Sequence, residues 1–160
     1  MQFSYISGQV LEHPLSDHFY ANSNPEYKKH ELKEFGVGQE NPKGLKLDYQ
    51  IEGFKMVMNY QVAADFVGPP GFVHGGILAT ILDDAMGCVV MAAKPNRFSM
   101  TARLTTHYIK PTPLETPIVI EAWVTTFEGK KTFAQGAIYP ADKQEVWVEA
   151  ESLFIEVAKI

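Results

Sequence analysis

The sequence is short of cysteine, of basic charge and of long uncharged stretches. Its 160 residues include one cysteine, Cys88, which excludes an internal disulfide and fits a reducing cytoplasm. The formal net charge of −5 argues against a general nucleic-acid binder, which needs a basic surface. Residues 1–20 have no basic start followed by an apolar run, so we expect no signal peptide and a cytoplasmic location. Without internal repeats or linkers, residues 1–160 are predicted to form one domain.

The longest apolar stretch is at residues 71–93, GFVHGGILATILDDAMGCVVMAA, and it follows two prolines. A helix that is apolar on every face is buried in a larger structure or in a membrane. A membrane span is nearly free of charge, whereas Asp83 and Asp84 lie in the middle of this one. We therefore predict a long helix buried in the core of a folded domain, and no membrane partner.

One face of this predicted helix carries small residues and a carboxylate. At 100° per residue, Gly76, Thr80, Asp83 and Gly87 form a narrow stripe, and Asp84 lies roughly 80° away from its centre. Glycine inside a helix costs up to about 1 kcal/mol relative to alanine, so two glycines on one stripe indicate that another surface approaches closely. A substrate or a partner chain would supply that surface.

The predicted helix starts with His74, Gly75 and Gly76, where the first N–H groups lack internal partners and glycine leaves them uncovered. Such a start favours a negatively charged oxygen. The amide could hold an oxyanion while the carboxylate of Asp83, two turns further on, activates water or attacks a carbonyl. From the pattern alone, a glycine-rich helix entry with one buried, hydrogen-bonded aspartate fits equally well.

Alternating patterns on both sides of the helix predict an antiparallel sheet. Residues 45–62 are predicted to form a hairpin that bends at Gly53, and strands follow at about 99–109, 117–127, 132–139 and 146–157. A sheet hides so apolar a helix only by curling around it, and its edge strands invite pairing with a second copy. Residues 24–36 are predicted to form a short helix within a helical N-terminal extension, residues 1–40.

The segment HGGILATILDDAMG, followed by THYIKPTP, resembles the acyl-CoA thioesterases of the phenylacetyl-CoA and 4-hydroxybenzoyl-CoA thioesterase superfamily. The resemblance runs from about Glu40 to the C-terminus. It implies the α+β hotdog fold, in which an antiparallel sheet wraps around one long helix. It also implies a dimer or a dimer of dimers with active sites between subunits, which hydrolyses an acyl-CoA. Coenzyme A is then part of the substrate, and no metal or redox cofactor is needed.

The resemblance assigns three catalytic residues, and the helix entry adds His74 as a fourth. The family's carboxylate matches Asp83, its oxyanion amide matches Gly75, and its strand hydroxyl matches Thr101. In related enzymes this hydroxyl comes from the neighbouring subunit, and the alternation agrees, because it puts Thr101 and Tyr108 on opposite faces of strand 99–109. His74 is interpreted as an orienter of the helix entry with a secondary hydrogen-bonding role near the carbonyl.

Five further residues are expected to contact the substrate: Gly76, Thr80, Asn41, Phe72 and Lys110. Asp84 is interpreted as a structural residue paired with a basic side chain, and it is the reserve candidate for the catalytic carboxylate. Some family members carry Asn or Gln shortly before the HGG, where this chain has Gly68. This difference keeps a non-catalytic acyl-CoA binder open as an alternative. A hydratase or dehydratase on the same fold is a third hypothesis.

Overall fold

The computed structural model describes residues 4–17 and 33–158, which contain one α-helix and six strands. In chain order they are β1 Gln50–Glu52, β2 Lys55–Gln61, α1 Gly75–Ala93, β3 Phe98–Tyr108, β4 Pro117–Glu128, β5 Lys131–Pro140 and β6 Val148–Val157. A single 3-10 turn, Ala64–Phe66, precedes α1 within these residues. The predicted hairpin, long helix and four later strands are confirmed.

The strands pair antiparallel in one sheet, in the order β1-β2-β4-β5-β6-β3. The sheet wraps around α1, which contacts β2, β3, β4, β5 and β6. This is the α+β architecture that the sequence predicted. β3 lies at an edge beside β6, and its other side pairs with no described strand.

The core fills the space between α1 and the concave face of the sheet. Its largest fully buried side chains come from both layers and include Leu47, Met56, Ile81, Leu82, Met86, Ile118, Ile120 and Ile138. Each such side chain contributes about 1.5–3 kcal/mol when it leaves water. The length and composition of α1 would allow it to cross a membrane. More than half of the helix is buried inside the protein, however.

Residues 45–49 alternate as predicted but form no strand with β2. Leu45 and Leu47 are buried, and their N–H groups donate to the carbonyls of Phe35 and Gly36, each at 2.8 Å. The first strand therefore begins at Gln50, later than predicted. The chain around Gly36 is held beside the helix by these bonds.

β3 contains a β-bulge at Ala102 that changes which side chains face the helix. Thr101 pairs with Phe154, and Arg103 pairs with the residue before Phe154, so Ala102 has no partner of its own. Because a bulge adds one residue to a strand, the alternation is reversed beyond it. Thr101 before the bulge and Tyr108 after it therefore both reach α1. The prediction that they lie on opposite faces is wrong for this reason.

The first described segment, residues 4–17, runs across the outside of the sheet to the end of α1. The Tyr5 ring stacks on His107 with 4.8 Å between the centroids, and the Ser16 N–H donates to the Ala92 carbonyl at 2.8 Å. This segment contains no helix. Most of the helix predicted at 24–36 lies outside the described residues, and its described end, residues 33–36, contains turns.

Candidate active site

The predicted stripe of small residues is the part of α1 that the fold leaves open. Gly76 is exposed and Thr80, Asp83 and Gly87 are half-buried. The opposite side of the helix is fully buried against the sheet, at Ile81, Leu82, Ala85, Met86 and Val89. The helix is therefore buried as predicted except along this stripe, and the open face is the one that carries a carboxylate.

Asp83 accepts a hydrogen bond from the Thr101 hydroxyl, with 2.9 Å between Thr101 Oγ1 and Asp83 Oδ1. Both residues belong to the same chain. This corrects the expectation that the hydroxyl reaches the carboxylate from a neighbouring subunit. The correction follows from the bulge at Ala102, which turns Thr101 towards its own helix.

The surroundings of Asp83 favour a carboxyl that exchanges protons. Burial raises the pKa of Asp83 above its ordinary value, and the hydrogen bond from Thr101 partly opposes this. None of the ion pairs among the described residues involves Asp83. A half-buried carboxylate without a cation, beside a hydroxyl that can hold water, has the properties of a general base.

Asp84 points away from the stripe and lies under the chain at Gly36. A Cβ on Gly36 would collide with the Asp84 carboxyl, so a larger residue there would have to displace the Asp84 side chain. Asp84 Oδ2 is buried without a hydrogen-bond partner. Burial, followed by the charges of Asp83 and Glu34, raises the pKa of Asp84 to about 7. The basic partner predicted for Asp84 is absent from the ion pairs of the described residues.

The start of α1 has one amide that is free and one that is occupied. His74 caps the helix, because its Nδ1 accepts a hydrogen bond from the Gly76 N–H at 2.9 Å. Among the described residues no acceptor faces the Gly75 N–H. Gly75 therefore supplies the available donor at this end of the helix, and His74 fixes the turn that presents it.

The two glycines at the helix start differ in what a side chain would meet. A Cβ at Gly76 would lie 3.1 Å from His74 Nδ1, so the capping imidazole explains why glycine is there. A Cβ at Gly75 would lie 3.5 Å from the Tyr108 ring, an ordinary packing distance. Local packing does not require glycine at position 75, and a need for open space above its amide accounts for it.

Tyr108 is a site residue to which the sequence assigned no role. Its hydroxyl donates to the Gly75 carbonyl at 2.7 Å. The Tyr-x-x-Pro pattern at the end of β3 pointed to this position only as part of the resemblance. The contact depends on the bulge at Ala102, which the strand's alternation does not reveal.

Of the other predicted substrate contacts, Thr80 and Phe72 lie near the helix start. The Thr80 hydroxyl donates to the Gly76 carbonyl at 2.9 Å, and the exposed Phe72 side chain lies in the loop that leads into α1. Asn41 is engaged in its own turn: its side-chain NH2 donates to the Lys33 carbonyl at 3.0 Å, and its side-chain oxygen accepts from the Lys43 N–H at 2.9 Å. Their roles towards a substrate stay predictions.

Lys110 follows β3 and forms an ion pair with Glu145. The Glu145 carboxylate also accepts from the Trp147 indole at 2.9 Å. A carrier phosphate at Lys110 would therefore compete with a carboxylate that is already in place. Its predicted contact with the substrate stays a prediction.

Gly68 cannot be replaced by the amide residue that some family members carry. A Cβ at this position would lie 2.7 Å from His74 Cα, because the chain here pairs with the residues just before the helix. The site is therefore built without that side chain. In the described parts of the chain, no group of three or more His, Cys, Asp or Glu residues could hold a metal ion.

Known proteins resemble this chain over the same region. The sequence profile of the thioesterase superfamily matches residues 70–146, which contain the helix start, Asp83, Thr101 and Tyr108. Over these residues the chain matches the thioesterase superfamily. Acyl-coenzyme A thioesterase THEM4 of Mus musculus is 35% identical over 118 residues, 71% of this chain and 50% of that protein. THEM4 of Xenopus laevis is 36% identical over 103 residues, 64% of this chain and 46% of that protein.

Solved structures of the thioesterase superfamily share the fold. A thioesterase superfamily protein of known crystal structure is 31% identical, with a TM-score of 0.70, over 77% of this chain and 60% of its own. A Streptococcus mutans protein crystallised with acetyl CoA is 20% identical, with a TM-score of 0.63, over 71% of this chain and 90% of its own. These matches confirm the hotdog fold. The chain spans about half the length of the curated relatives that it matches.

Proposed function

We propose that this protein is an acyl-CoA thioesterase that hydrolyses its substrate to a free acid and coenzyme A. The observation that carries the proposal is the Asp83–Thr101 pair on the open face of α1, combined with the free amide of Gly75 at the helix start. The relatives named acyl-coenzyme A thioesterase support the substrate class.

In the proposed reaction the thioester carbonyl oxygen accepts a hydrogen bond from the Gly75 N–H. Asp83 removes a proton from a water molecule, which Thr101 helps to hold, as the water oxygen adds to the carbonyl carbon. The negative charge that develops on the carbonyl oxygen is stabilised by the amide at the helix start. The C–S bond then breaks, the sulfur takes up the proton, and acid and thiol leave.

The spacing of these groups along α1 favours a site that is shared by two copies of the chain. Gly75 and Asp83 are eight residues apart, about 12 Å along the helix axis. The attacking water and the carbonyl carbon must approach to about 3–3.5 Å. We therefore propose a homodimer in which a second α1 runs antiparallel across the open stripe. Gly75 of one chain then meets Asp83 and Thr101 of the other.

Two surfaces support this dimer. β3 is an edge strand, whose unpaired backbone groups can bond to a second copy. Met100 on the same strand is 53% exposed, and it lies on the outer face of the sheet because the neighbouring Thr101 faces α1. Both features lie next to the Asp83–Thr101 pair.

A non-catalytic acyl-CoA binder is the second candidate, and Gly68 favours it because the amide side chain of some members is missing. A hydratase is less well supported. It needs an acid and a histidine facing each other, and the His74 imidazole is engaged with the Gly76 N–H.

Release of free thiol from a panel of acyl-CoAs separates the candidates. We expect turnover by the unaltered protein and a roughly hundredfold or greater loss in Asp83→Asn, with binding of a non-hydrolysable acyl-CoA retained. Asp48→Asn, at an exposed position outside the site, is the matched control and should retain full turnover. Binding without thiol release by the unaltered protein would instead support the binder.

A further inference from the structure

Gly75 is held by little within its own helix. As the first helical residue it has an N–H without an intrahelical acceptor, and as a glycine it has no side chain to restrict its backbone. An oxyanion donor is effective only when its direction is fixed before the reaction. A contact from outside the helix can add to what the His74 cap fixes.

Tyr108 supplies that constraint from β3. Its hydroxyl donates to the Gly75 carbonyl at 2.7 Å, and its ring atoms lie 3.5 Å from the point where a Cβ of Gly75 would stand. The ring thus covers one side of Gly75 and leaves the amide free. The same strand fixes Asp83 through Thr101, so β3 holds both groups of the proposed site.

The Tyr108 side chain is poorly placed to serve the core. It is 53% exposed, so its burial contributes little to folding. A tyrosine hydroxyl has an ordinary pKa of about 10, and partial burial raises that of Tyr108 further, so the hydroxyl can donate at neutral pH. The hydrogen bond to Gly75 is then its most specific contact.

We propose that Tyr108 is a positioning residue that fixes the backbone of Gly75, so that the Gly75 amide points at the thioester carbonyl oxygen. The proposal rests on the proposed thioesterase function. It assigns to Tyr108 no contact with the reacting atoms. The hydroxyl acts only through Gly75.

The first test is Tyr108→Phe, which removes the hydroxyl and keeps the ring. We expect kcat to fall about tenfold for every acyl-CoA tested, with KM little changed. The loss is moderate because the Gly75 N–H is misdirected rather than removed. Complete removal of an oxyanion donor costs about a hundredfold or more in kcat. Tyr60→Phe is the matched control, since the Tyr60 hydroxyl donates to the Leu45 carbonyl at 2.6 Å outside the site. The control should keep kcat. A chain-length-dependent change in KM alone would overturn the proposal, because that is the behaviour of an acyl-pocket wall.

The second test uses two acyl-CoA analogues that cannot be hydrolysed. A ketone analogue keeps the carbonyl oxygen, and a thioether analogue lacks it. We expect Tyr108→Phe to lower the affinity for the ketone analogue several-fold and to leave the affinity for the thioether analogue unchanged. Equal affinities of the unaltered and variant proteins for both analogues would contradict the proposal.

The two tests also separate this proposal from the proposed function. Thiol release by the unaltered protein at an equal rate in Tyr108→Phe would disprove the role of Tyr108 and leave the thioesterase standing. A ketone-specific loss of binding in a protein that releases no thiol would support the role of Tyr108 and disprove catalysis.

Discussion

At the scale of single residues, Asp83 and Asp84 are chain neighbours with different surroundings. Asp83 lies on the open stripe with a hydroxyl donor, and Asp84 is enclosed beneath Gly36 with an unpaired oxygen. A step of one residue along the helix separates their directions by about 100°. Because of this difference in direction, we assign a catalytic role to Asp83 and a structural role to Asp84.

The buried Asp84 is expected to make stability fall as pH rises. Its pKa is about 7 in the folded chain, and about 3.9 in an unfolded one. Between these values the folded state holds a proton that the unfolded state has lost. The free energy of unfolding therefore decreases as pH rises through this window, by at most about 1.4 kcal/mol per pH unit.

Replacing Asp84 by asparagine removes this proton exchange. We expect Asp84→Asn to be more stable than the unaltered protein at pH 8, by about 1–3 kcal/mol, and to lose much of the slope. Urea unfolding at pH 5 and pH 8, at fixed protein concentration, measures this. The exposed Asp48→Asn is the control. Parallel pH curves for all three proteins would show that Asp84 titrates normally in the fold.

The Thr101 hydroxyl lowers the pKa of Asp83 against the effect of burial. Thr101→Ala should therefore raise the pKa of Asp83, and the acid limb of the kcat/KM profile should move to higher pH, because a general base acts only when ionised. Thr101→Ser keeps a hydroxyl, so the acid limb of its kcat/KM profile should stay near the original pH. If the pH dependence of kcat/KM is the same in Thr101→Ala as in the unaltered protein, the Thr101 hydroxyl does not affect the pKa of Asp83.

At the scale of elements, the start and the middle of α1 use glycine for different reasons. A Cβ at Gly75 would meet the Tyr108 ring at 3.5 Å, and one at Gly87 would meet the Phe154 ring at 3.6 Å. Both distances are ordinary, so alanine is tolerated at either position. Each change also replaces a glycine, and glycine in a helix is up to about 1 kcal/mol less stable than alanine, so the replacement itself favours folding.

We therefore expect Gly75→Ala and Gly87→Ala to fold and to unfold at similar or higher temperatures. Gly75→Ala should lose about tenfold or more in kcat/KM, since its methyl group stands beside the amide that is proposed to hold the carbonyl oxygen. Gly87→Ala should be much milder. If both variants lose the same small fraction of kcat/KM, residues 74–76 form only a turn at the start of the helix and hold no oxyanion.

The elements were predictable to the extent that they follow from periodicity. The long apolar run, the turn at Gly53 and the later alternations predicted α1 and the strands to within a few residues. The bulge at Ala102 was not predictable, because alanine carries no turn signal and the extra residue shows only in the pairing of β3 with β6. It put Thr101 on its own helix and Tyr108 at Gly75.

The surroundings of Asp84 were equally hidden from the sequence. Its contact with Gly36 joins residues almost fifty positions apart, through a segment without regular structure. No local pattern marks such a contact. The free amide of Gly75 was predictable from the HGG, whereas the occupied amide of Gly76 depends on how the His74 ring turns.

At the scale of the whole molecule, the two faces of the sheet are covered differently. The concave face holds α1, and residues 4–17 cross the outer face. The stripe on α1 and the edge of β3 stay open together. We expect sedimentation at micromolar concentration to show a dimer, and a compact folded monomer would contradict the shared site.

The shared site is tested most directly by mixing two inactive variants. Asp83→Asn lacks the base, and Gly75→Val blocks the amide with a branched side chain. In a mixed dimer, the intact Gly75 of the first chain meets the intact Asp83 of the second, and the other site is inactive.

After subunit exchange at equal concentrations, about half of the dimers are mixed and each has one working site. We therefore predict recovery of about a quarter of the thioesterase activity of the unaltered protein. Activity that stays at the level of the separate variants, with exchange confirmed by mass spectrometry, would contradict a site built from two chains.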